Sequence, residues 1–179
     1  GPDRIQRFTY KPDNRLDTLT HAYGTSLEET IRSWDYTDNG QNETLTDAGG
    51  NKTTYAYDTF DRLEYRYYPG KANGAISSTT DYDQYEYDNN GNVKKSWIRR
   101  NGVDTKSFVF GYDKLNRMVS RSAPDNAPGA VYFDFNNLGS SVAVCRGQDC
   151  DQTPTSTLDS VYDSLGRQTS QTSDYGTVS

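Results

Sequence analysis

Apolar and polar residues alternate along much of this chain in short runs, with the two-residue period of a β-strand. The clearest example is "YAYDTFDRLEYRYY" at 55–68, in which Tyr or Leu occupies alternate positions on each side of a short polar hinge. The residues expected on the opposite face of these strands are Ala56, Glu64 and Arg66. Comparable runs alternate with Gly- and Asp-rich links, which predicts about fourteen strands in one continuous antiparallel meander.

One stretch has helical character instead. In "TSLEETIRSW", Leu27 and Ile31 would share one face of a helix, and Thr25 or Ser26 could cap its first turn. The "WDY" at the end of this stretch belongs to the strand pattern, so the sequence favours a strand over a helix in this region.

The predicted hairpins are copies of one repeat. Seven copies align on a central aromatic residue, and 21 to 30 residues separate one anchor from the next. The anchors are Tyr10, Tyr36, Tyr57, Tyr87, Tyr112, Phe135 and Tyr162. A mean spacing of about 25 residues is typical of repeat arrays, in which each unit buries its surface by stacking on its neighbours. The anchors are therefore expected to pack between hairpins.

The position four residues after each anchor is occupied only by Gly, Asn or Asp. These positions are Asn14, Gly40, Asp61, Gly91, Asn116, Gly139 and Gly166. The three residue types are those that tolerate a left-handed backbone conformation. Because Asp or Asn directly follows five of the anchors, we predict a three-residue hairpin loop in which a type I turn precedes the left-handed residue. Where Arg begins the return strand, as in Asp58 to Arg62, an Asp–Arg pair is expected to close the hairpin.

Several copies resemble a known repeat. The segments "VYDSLGRQTSQT", "YEYDNNGNV" and "LTDAGGNKTTYAYDTFDRL" resemble the YD repeats of rearrangement-hotspot (Rhs) proteins, insect-pathogen toxin complexes and animal teneurins. The resemblance covers residues 5–172 and implies a β-sheet that spirals into a hollow shell, which encloses a C-terminal toxin in bacterial members. It further implies that residues 3–179 are a single β-domain of a larger bacterial protein that is secreted or displayed at the cell surface. The implied partners are the rest of the shell and its toxin cargo. Gly1 and Pro2 resemble the remnant of a cleavage site.

The amino-acid composition bears on the kind of core and on the classes of partner that the chain can have. The 179 residues carry a net charge of −6 and a mean hydropathy of −0.98, values close to those of disordered chains. Fifteen Tyr, six Phe and two Trp nevertheless supply apolar area for a thin, partly polar core. The chain has no Lys/Arg cluster, which argues against a nucleic-acid partner, and no apolar run approaches the roughly 18 residues of a membrane helix.

The sequence has no strong catalytic pattern, and we expect neither an enzyme nor a cofactor. The single histidine, His21, is expected at the surface or in a hydrogen bond. Two carboxylate pairs have the composition of a glycosidase site, namely Asp81 with Asp83 and Asp149 with Asp151. Because Asp is an ordinary residue of turns, a structural role is favoured for both pairs. The stretch "DNNGN" at 88–92 lacks the glycine spacing and the Glu of a calcium loop, so no metal site is expected.

The sequence does not decide whether the two cysteines form a disulfide. Cys145 and Cys150 bracket "RGQD", a predicted turn, and could face one another at the ends of two adjacent strands. They form either a disulfide, which would fit an exported protein, or two reduced thiols. Zinc would need more ligands than two Cys and a distant His.

Two functions remain open from the sequence. In the first, the chain is a non-enzymatic part of a wall that contains a toxin. In the second, its aromatic residues and loops bind a cell-surface glycan or receptor, with Trp34 and Trp97 as the candidate contacts. Unpaired sheet edges are also expected to promote self-association of the chain.

Overall fold

The structure is a computed structural model that describes residues 4–70, 74–75, 80–123, 130–147, 150, 156–173 and 176–178. This part of the chain contains fifteen β-strands. The strands are β1 (Gln6–Tyr10), β2 (Leu16–His21), β3 (Glu29–Tyr36), β4 (Asn42–Asp47), β5 (Lys52–Tyr57), β6 (Leu63–Tyr67), β7 (Tyr82–Tyr87), β8 (Val93–Arg100), β9 (Val103–Tyr112), β10 (Met118–Ser122), β11 (Ala130–Phe135), β12 (Ser141–Gly147), β13 (Ser156–Tyr162), β14 (Gln168–Ser173) and β15 (Gly176–Val178). Gly1 and Pro2, the expected cleavage remnant, lie outside the described residues.

Strands that are consecutive in the chain are neighbours in one sheet, in the order β1 to β15. The pairings from β1 to β7 and from β9 to β15 are antiparallel. This confirms the all-β antiparallel meander. The described residues hold one strand more than the fourteen expected.

The region with helical character is a turn followed by a strand. The Thr25 hydroxyl oxygen accepts the N–H of Leu27 (3.1 Å), and the Glu28 carboxylate accepts the N–H of Gly24 (2.8 Å). Strand β3 begins directly afterwards at Glu29. Among the described residues, no helix is long and apolar enough to cross a membrane.

The chain divides into two compact units. Unit 1 is Gly1–Tyr85 with Ile98–Thr105, and unit 2 is Glu86–Trp97 with Lys106–Ser179. The first three repeat loops belong to unit 1 and the other four belong to unit 2. Each loop of the repeat therefore lies wholly within one unit.

The aromatic residues at 55–68 lie on both faces of the sheet in unit 1. Tyr65 pairs across the strands with Ala56, whereas Tyr55 pairs with Arg66, and directly opposed residues share a face. The Arg66 guanidinium carbon accordingly lies 5.8 Å from the centre of the Tyr55 ring. The expectation that Ala56 shares the face of Arg66 is wrong, because a one-residue bulge beside the turn shifts the register and reverses the faces.

The core is thin in both units. Among the described residues, four are buried: Thr20, Ala22, Asp81 and Cys145. Tyr65, Tyr67 and Tyr82 are half-buried instead. Tyr65 and Tyr67 stack with their centres 5.3 Å apart, and Tyr82 meets both rings edge-on. Such rings bury apolar area while their hydroxyl groups can still reach water or a polar partner.

Candidate functional site

The most regular feature of the structure is its hairpin loop, and the loop at Asp58 shows the geometry. The Asp58 N–H donates to the carbonyl of Arg62 (2.9 Å), and the Asp61 N–H donates to the carbonyl of Asp58 (3.0 Å). One carboxylate oxygen of Asp58 accepts the N–H groups of Phe60 and Arg62. The other accepts the Arg62 Nε–H (2.8 Å), so the expected pair is present. The same pairing closes two further loops, Asp113 with Arg117 and Asp163 with Arg167.

A residue with positive φ ends every loop of the repeat. The φ angles lie between 60° and 87° at Asn14, Gly40, Asp61, Gly91, Asn116, Gly139 and Gly166. A left-handed residue after a type I turn produces a bulge in the hairpin. In the loop at Asp58, the left-handed Asp61 and Arg62 lie together opposite Asp58, and the register shifts by one further residue between Ala56 and Tyr57.

The sequence pattern misses an eighth loop of the same type, between β4 and β5. Here the Asp47 N–H donates to the carbonyl of Asn51 (3.0 Å), the Gly50 N–H donates to the carbonyl of Asp47 (3.0 Å), and Gly50 has a φ of 75°. Its signal in the sequence is an Asp followed three residues later by Gly, without an aromatic anchor before it. The loop therefore forms without the anchor, which must serve another purpose.

Four of the anchors join their hairpin to the one before it. In four copies the tyrosine hydroxyl donates a hydrogen bond to the backbone carbonyl six residues after the preceding anchor. These bonds, 2.7 to 2.9 Å long, run from Tyr36 to Leu16, Tyr57 to Asn42, Tyr112 to Val93 and Tyr162 to Ser141. We call each of them a hydroxyl clasp. Burial raises the pKa of Tyr57 and of Tyr112, which keeps both hydroxyl groups protonated as donors.

Arginine adds a second link between neighbouring loops. The Arg117 Nη1 group donates to the carbonyl of Asn136 (3.4 Å), and its guanidinium carbon lies 4.6 Å from the ring centre of Phe135. Arg15 lies in the same way over the ring of Tyr36, also at 4.6 Å. Because Phe135 has no hydroxyl group, the cation–π contact links this copy to its neighbour instead.

Removal of a hydroxyl clasp is expected to lower stability. Tyr162→Phe deletes the donor and leaves the Ser141 carbonyl without it, which costs about 1 kcal/mol in the free energy of unfolding. Urea denaturation measures this change. Tyr10→Phe is the matched control, because the Tyr10 side chain is 61% exposed. Equal losses in the two variants would show that the clasp contributes nothing.

The loop aspartates are held in their ionised form. The pKa of Asp58 lies below its ordinary value, chiefly because the Arg62 side chain donates hydrogen bonds to the carboxylate. The pKa of Asp113 is also lowered, and here the backbone N–H of Arg117 is the largest cause. Asn136 occupies the equivalent position in one copy, and its amide oxygen accepts the same two backbone N–H groups. The turn therefore needs the oxygen acceptor but not the charge.

Acid is expected to destabilise the wild-type chain more than a variant in which uncharged Asn replaces the loop aspartates. The folded pKa of each loop aspartate lies below the unfolded value of about 3.9. Between these two pKa values the unfolded state therefore binds more protons than the folded state. This stabilisation is complete above about pH 5 and is lost as the pH falls through the folded pKa values. The triple variant Asp58→Asn, Asp113→Asn, Asp163→Asn should lose less unfolding free energy between about pH 5 and pH 2 in urea titrations. Parallel curves for the two proteins would contradict this.

The paired carboxylates Asp81 and Asp83 both accept structural hydrogen bonds. Asp81 accepts the N–H of Asn101 (3.2 Å). Asp83 accepts the Tyr68 hydroxyl (2.7 Å) and the Arg100 Nη2 group (2.8 Å), and its side chain is 14% exposed. Each of the two carboxylates is therefore held in place by its own hydrogen-bond donors.

The other candidates for chemistry are His21, the stretch 88–92 and the pair of Asp149 and Asp151. His21 ends β2, and its Nε2 lies 2.7 Å from the side-chain nitrogen of Gln6. The stretch 88–92 forms a loop of the repeat. Asp149 and Asp151 lie outside the described residues. Within the described ranges, no group of three or more His, Cys, Asp or Glu side chains could hold a metal ion.

The cysteines and tryptophans have defined positions. Cys145 and Cys150 form a disulfide, with their Cα atoms 5.3 Å apart, and Cys145 is 2% exposed. Trp34 and Trp97 are half-buried, and the Lys95 ammonium lies 5.9 Å from the ring centre of Trp97. Neither tryptophan ring is therefore fully open to a ligand.

No family model and no curated protein matches this chain. Solved structures do match it. A crystal structure of TcdB2–TccC3–Cdc42 aligns with a TM-score of 0.71 at 16% identity, over 89% of this chain and 9% of that chain. A crystal structure of TcdB2–TccC3–TEV aligns with a TM-score of 0.71 at 16% identity, over 96% of this chain and 9% of that chain.

A structure of the Tc holotoxin pore of Photorhabdus luminescens aligns with a TM-score of 0.54 at 21% identity, over 96% of this chain and 8% of that chain. At these identities the likeness shows the fold alone. The chain spans less than a tenth of the length of the chains that it matches. It has the fold of one stretch of β-sheet in these toxin-complex chains.

Proposed function

We propose that this chain is a structural, non-enzymatic segment of a larger exported bacterial protein of the Rhs or toxin-complex type. In that protein its sheet forms part of a curved wall around a toxin. The observation that supports the proposal is a structural alignment with TcdB2–TccC3 chains that covers 89% to 96% of this chain. Because the chain spans 9% of each of them, the complete wall and its cargo would belong to the larger protein.

The mechanism of such a wall is containment. Strands joined by continuous backbone ladders leave no gap that a folded cargo could cross, and the wall is wetted on both sides. The hydroxyl clasps hold successive hairpins together, while the loop aspartates accept hydrogen bonds from backbone N–H groups within the loops. The hydrogen-bonded state of Asp81 and Asp83 supports a wall without catalytic chemistry.

The test uses the full-length parent, identified by sequencing the gene on both sides of this segment. A variable C-terminal domain should follow the repeats, and it should resist limited proteolysis in the intact protein. Variants that weaken this segment should increase the rate at which that domain is cleaved. A parent with no domain after its repeats, or a cargo that is cleaved at the same rate in wild type and variants, would refute the proposal.

A glycan- or receptor-binding role is the second candidate. The feature that favours it is the cluster of Tyr65, Tyr67 and Tyr82 on one face of unit 1, since aromatic clusters are common in sugar sites. Binding on a glycan array that disappears with Tyr65→Ala or Tyr67→Ala in the cluster, or with Trp34→Ala or Trp97→Ala at the tryptophans singled out from the sequence, would support this role. If the wild-type chain binds none of a broad panel of glycans, that result would count against this role.

A further inference from the structure

The hairpin loops present large apolar side chains to solvent at one repeated position. The third residue after the anchor is apolar in four copies and is 69% to 76% exposed in each. These residues are Phe60, Leu115, Leu138 and Leu165. Only 32% of the chain is hydrophobic, so repeated exposure of such residues at one loop position needs a reason.

Three of these residues form a row in unit 2. Leu115, Leu138 and Leu165 lie in the loops that join β9 to β10, β11 to β12 and β13 to β14, which are successive loops on one side of the meander. Each loop is two strands from the next, so the leucines are about 10 Å apart. We call these three side chains the leucine row.

The loop fixes the backbone of each residue in the leucine row. The N–H of Leu115 donates to the side chain of Asp113 (2.8 Å), and the N–H of Leu165 donates to the side chain of Asp163 (2.9 Å). Leu138 makes the equivalent bond to Asn136. Because the loop is ordered before any partner arrives, docking on the row costs little backbone entropy.

The loops of the leucine row carry a single net positive charge, that of Lys114, although the whole chain carries −6. Asp113 and Asp163 are each paired with the Arg four residues later, and the middle loop has the neutral Asn136 in their place. Two such rows can therefore approach one another without strong repulsion between like charges.

We propose that the leucine row is a docking surface for a second row of the same kind, supplied by another copy of this chain. A partner must repeat its apolar groups every 10 Å or so, and hairpin loops of an identical sheet have that period because they have the same strand spacing. The leucines of one row fit between those of the other, and a two-fold axis makes the contact self-complementary. Six leucines form a small interface, so the contact is weak and reversible.

Sedimentation equilibrium of the purified chain over a concentration series tests this proposal. We expect the wild-type chain to form dimers with a dissociation constant between about 10 μM and 1 mM. Leu138→Asp places a charge at the centre of the row and should raise that constant at least tenfold. Leu27→Asp is the matched control, because Leu27 is 70% exposed and belongs to unit 1, whereas the leucine row belongs to unit 2. A wild-type chain that stays monomeric at about 1 mM overturns the proposal.

A second measurement separates the leucine row from the sheet edges. A photo-reactive residue in place of Leu165 should cross-link to a loop of the partner copy. The same residue in place of Phe8, in the edge strand β1, should not cross-link. Dimers that cross-link through position 8 alone, or that persist unchanged in Leu138→Asp, would show that the edges associate and would overturn the proposal.

Discussion

Gly139→Val is expected to lower the free energy of unfolding by about 2 kcal/mol. Gly139 has a φ of 84°, and a Cβ atom built on it would meet no other atom within 4 Å. The cost is therefore conformational and not steric against neighbours, since β-branched residues adopt left-handed φ angles only under strain. Urea denaturation of the purified chain measures the loss.

Gly139→Asn is the matched control for this substitution. Asn14 and Asn116 occupy the same loop position at φ angles of 64° and 60°, so Asn should fold with a stability close to that of the wild type. Two equally destabilised variants would mean that position 139 requires the absence of a side chain. A stable Gly139→Val chain would mean that the turn does not depend on a left-handed residue.

Loss of the disulfide is the second large effect that we expect. Cys145 and Cys150 close a loop of six residues. The loop-closure entropy that the bond removes from the unfolded chain corresponds to about 2 kcal/mol of stability. The double variant Cys145→Ala, Cys150→Ala should therefore unfold at a lower urea concentration than the oxidised wild type.

Chemical reduction of the wild-type chain gives the same comparison without a mutation. Reduced wild type and the double variant should have similar stabilities, both about 2 kcal/mol below the oxidised chain. Mass spectrometry before and after alkylation establishes how many thiols are free. A native chain with two free thiols, or an oxidised chain no more stable than the reduced one, would contradict the disulfide.

The loop geometry could be read from the sequence because it is local. Within five residues, an acceptor side chain such as Asp58 and a left-handed residue such as Asp61 determine the turn, and both signals recur at constant spacing. Each signal is weak in a single loop, but its recurrence across the copies argues against chance. The fold class follows from them, since tight loops between alternating runs leave the chain no connection other than an antiparallel one.

The hydroxyl clasps and the register shift could not be predicted, because they depend on contacts that do not require a particular residue type. The acceptor of each hydroxyl clasp is a backbone carbonyl, so Leu16 or Ser141 carries no sign of its role. The register shift between Ala56 and Tyr57 reverses the faces of that strand, so a simple count of odd and even positions assigns Ala56 to the wrong face. Gly50 lies outside the repeat pattern because its loop has no aromatic anchor.

The hydroxyl clasp reaches from one hairpin only to the hairpin before it. An in-frame gain or loss of one whole copy, from one anchor to the next, would therefore leave every surviving Tyr with a carbonyl to bind. Genes that encode such arrays can change length by recombination between copies without rebuilding a core. On this basis, proteins built from this repeat should differ by whole copies more often than by insertions within a copy.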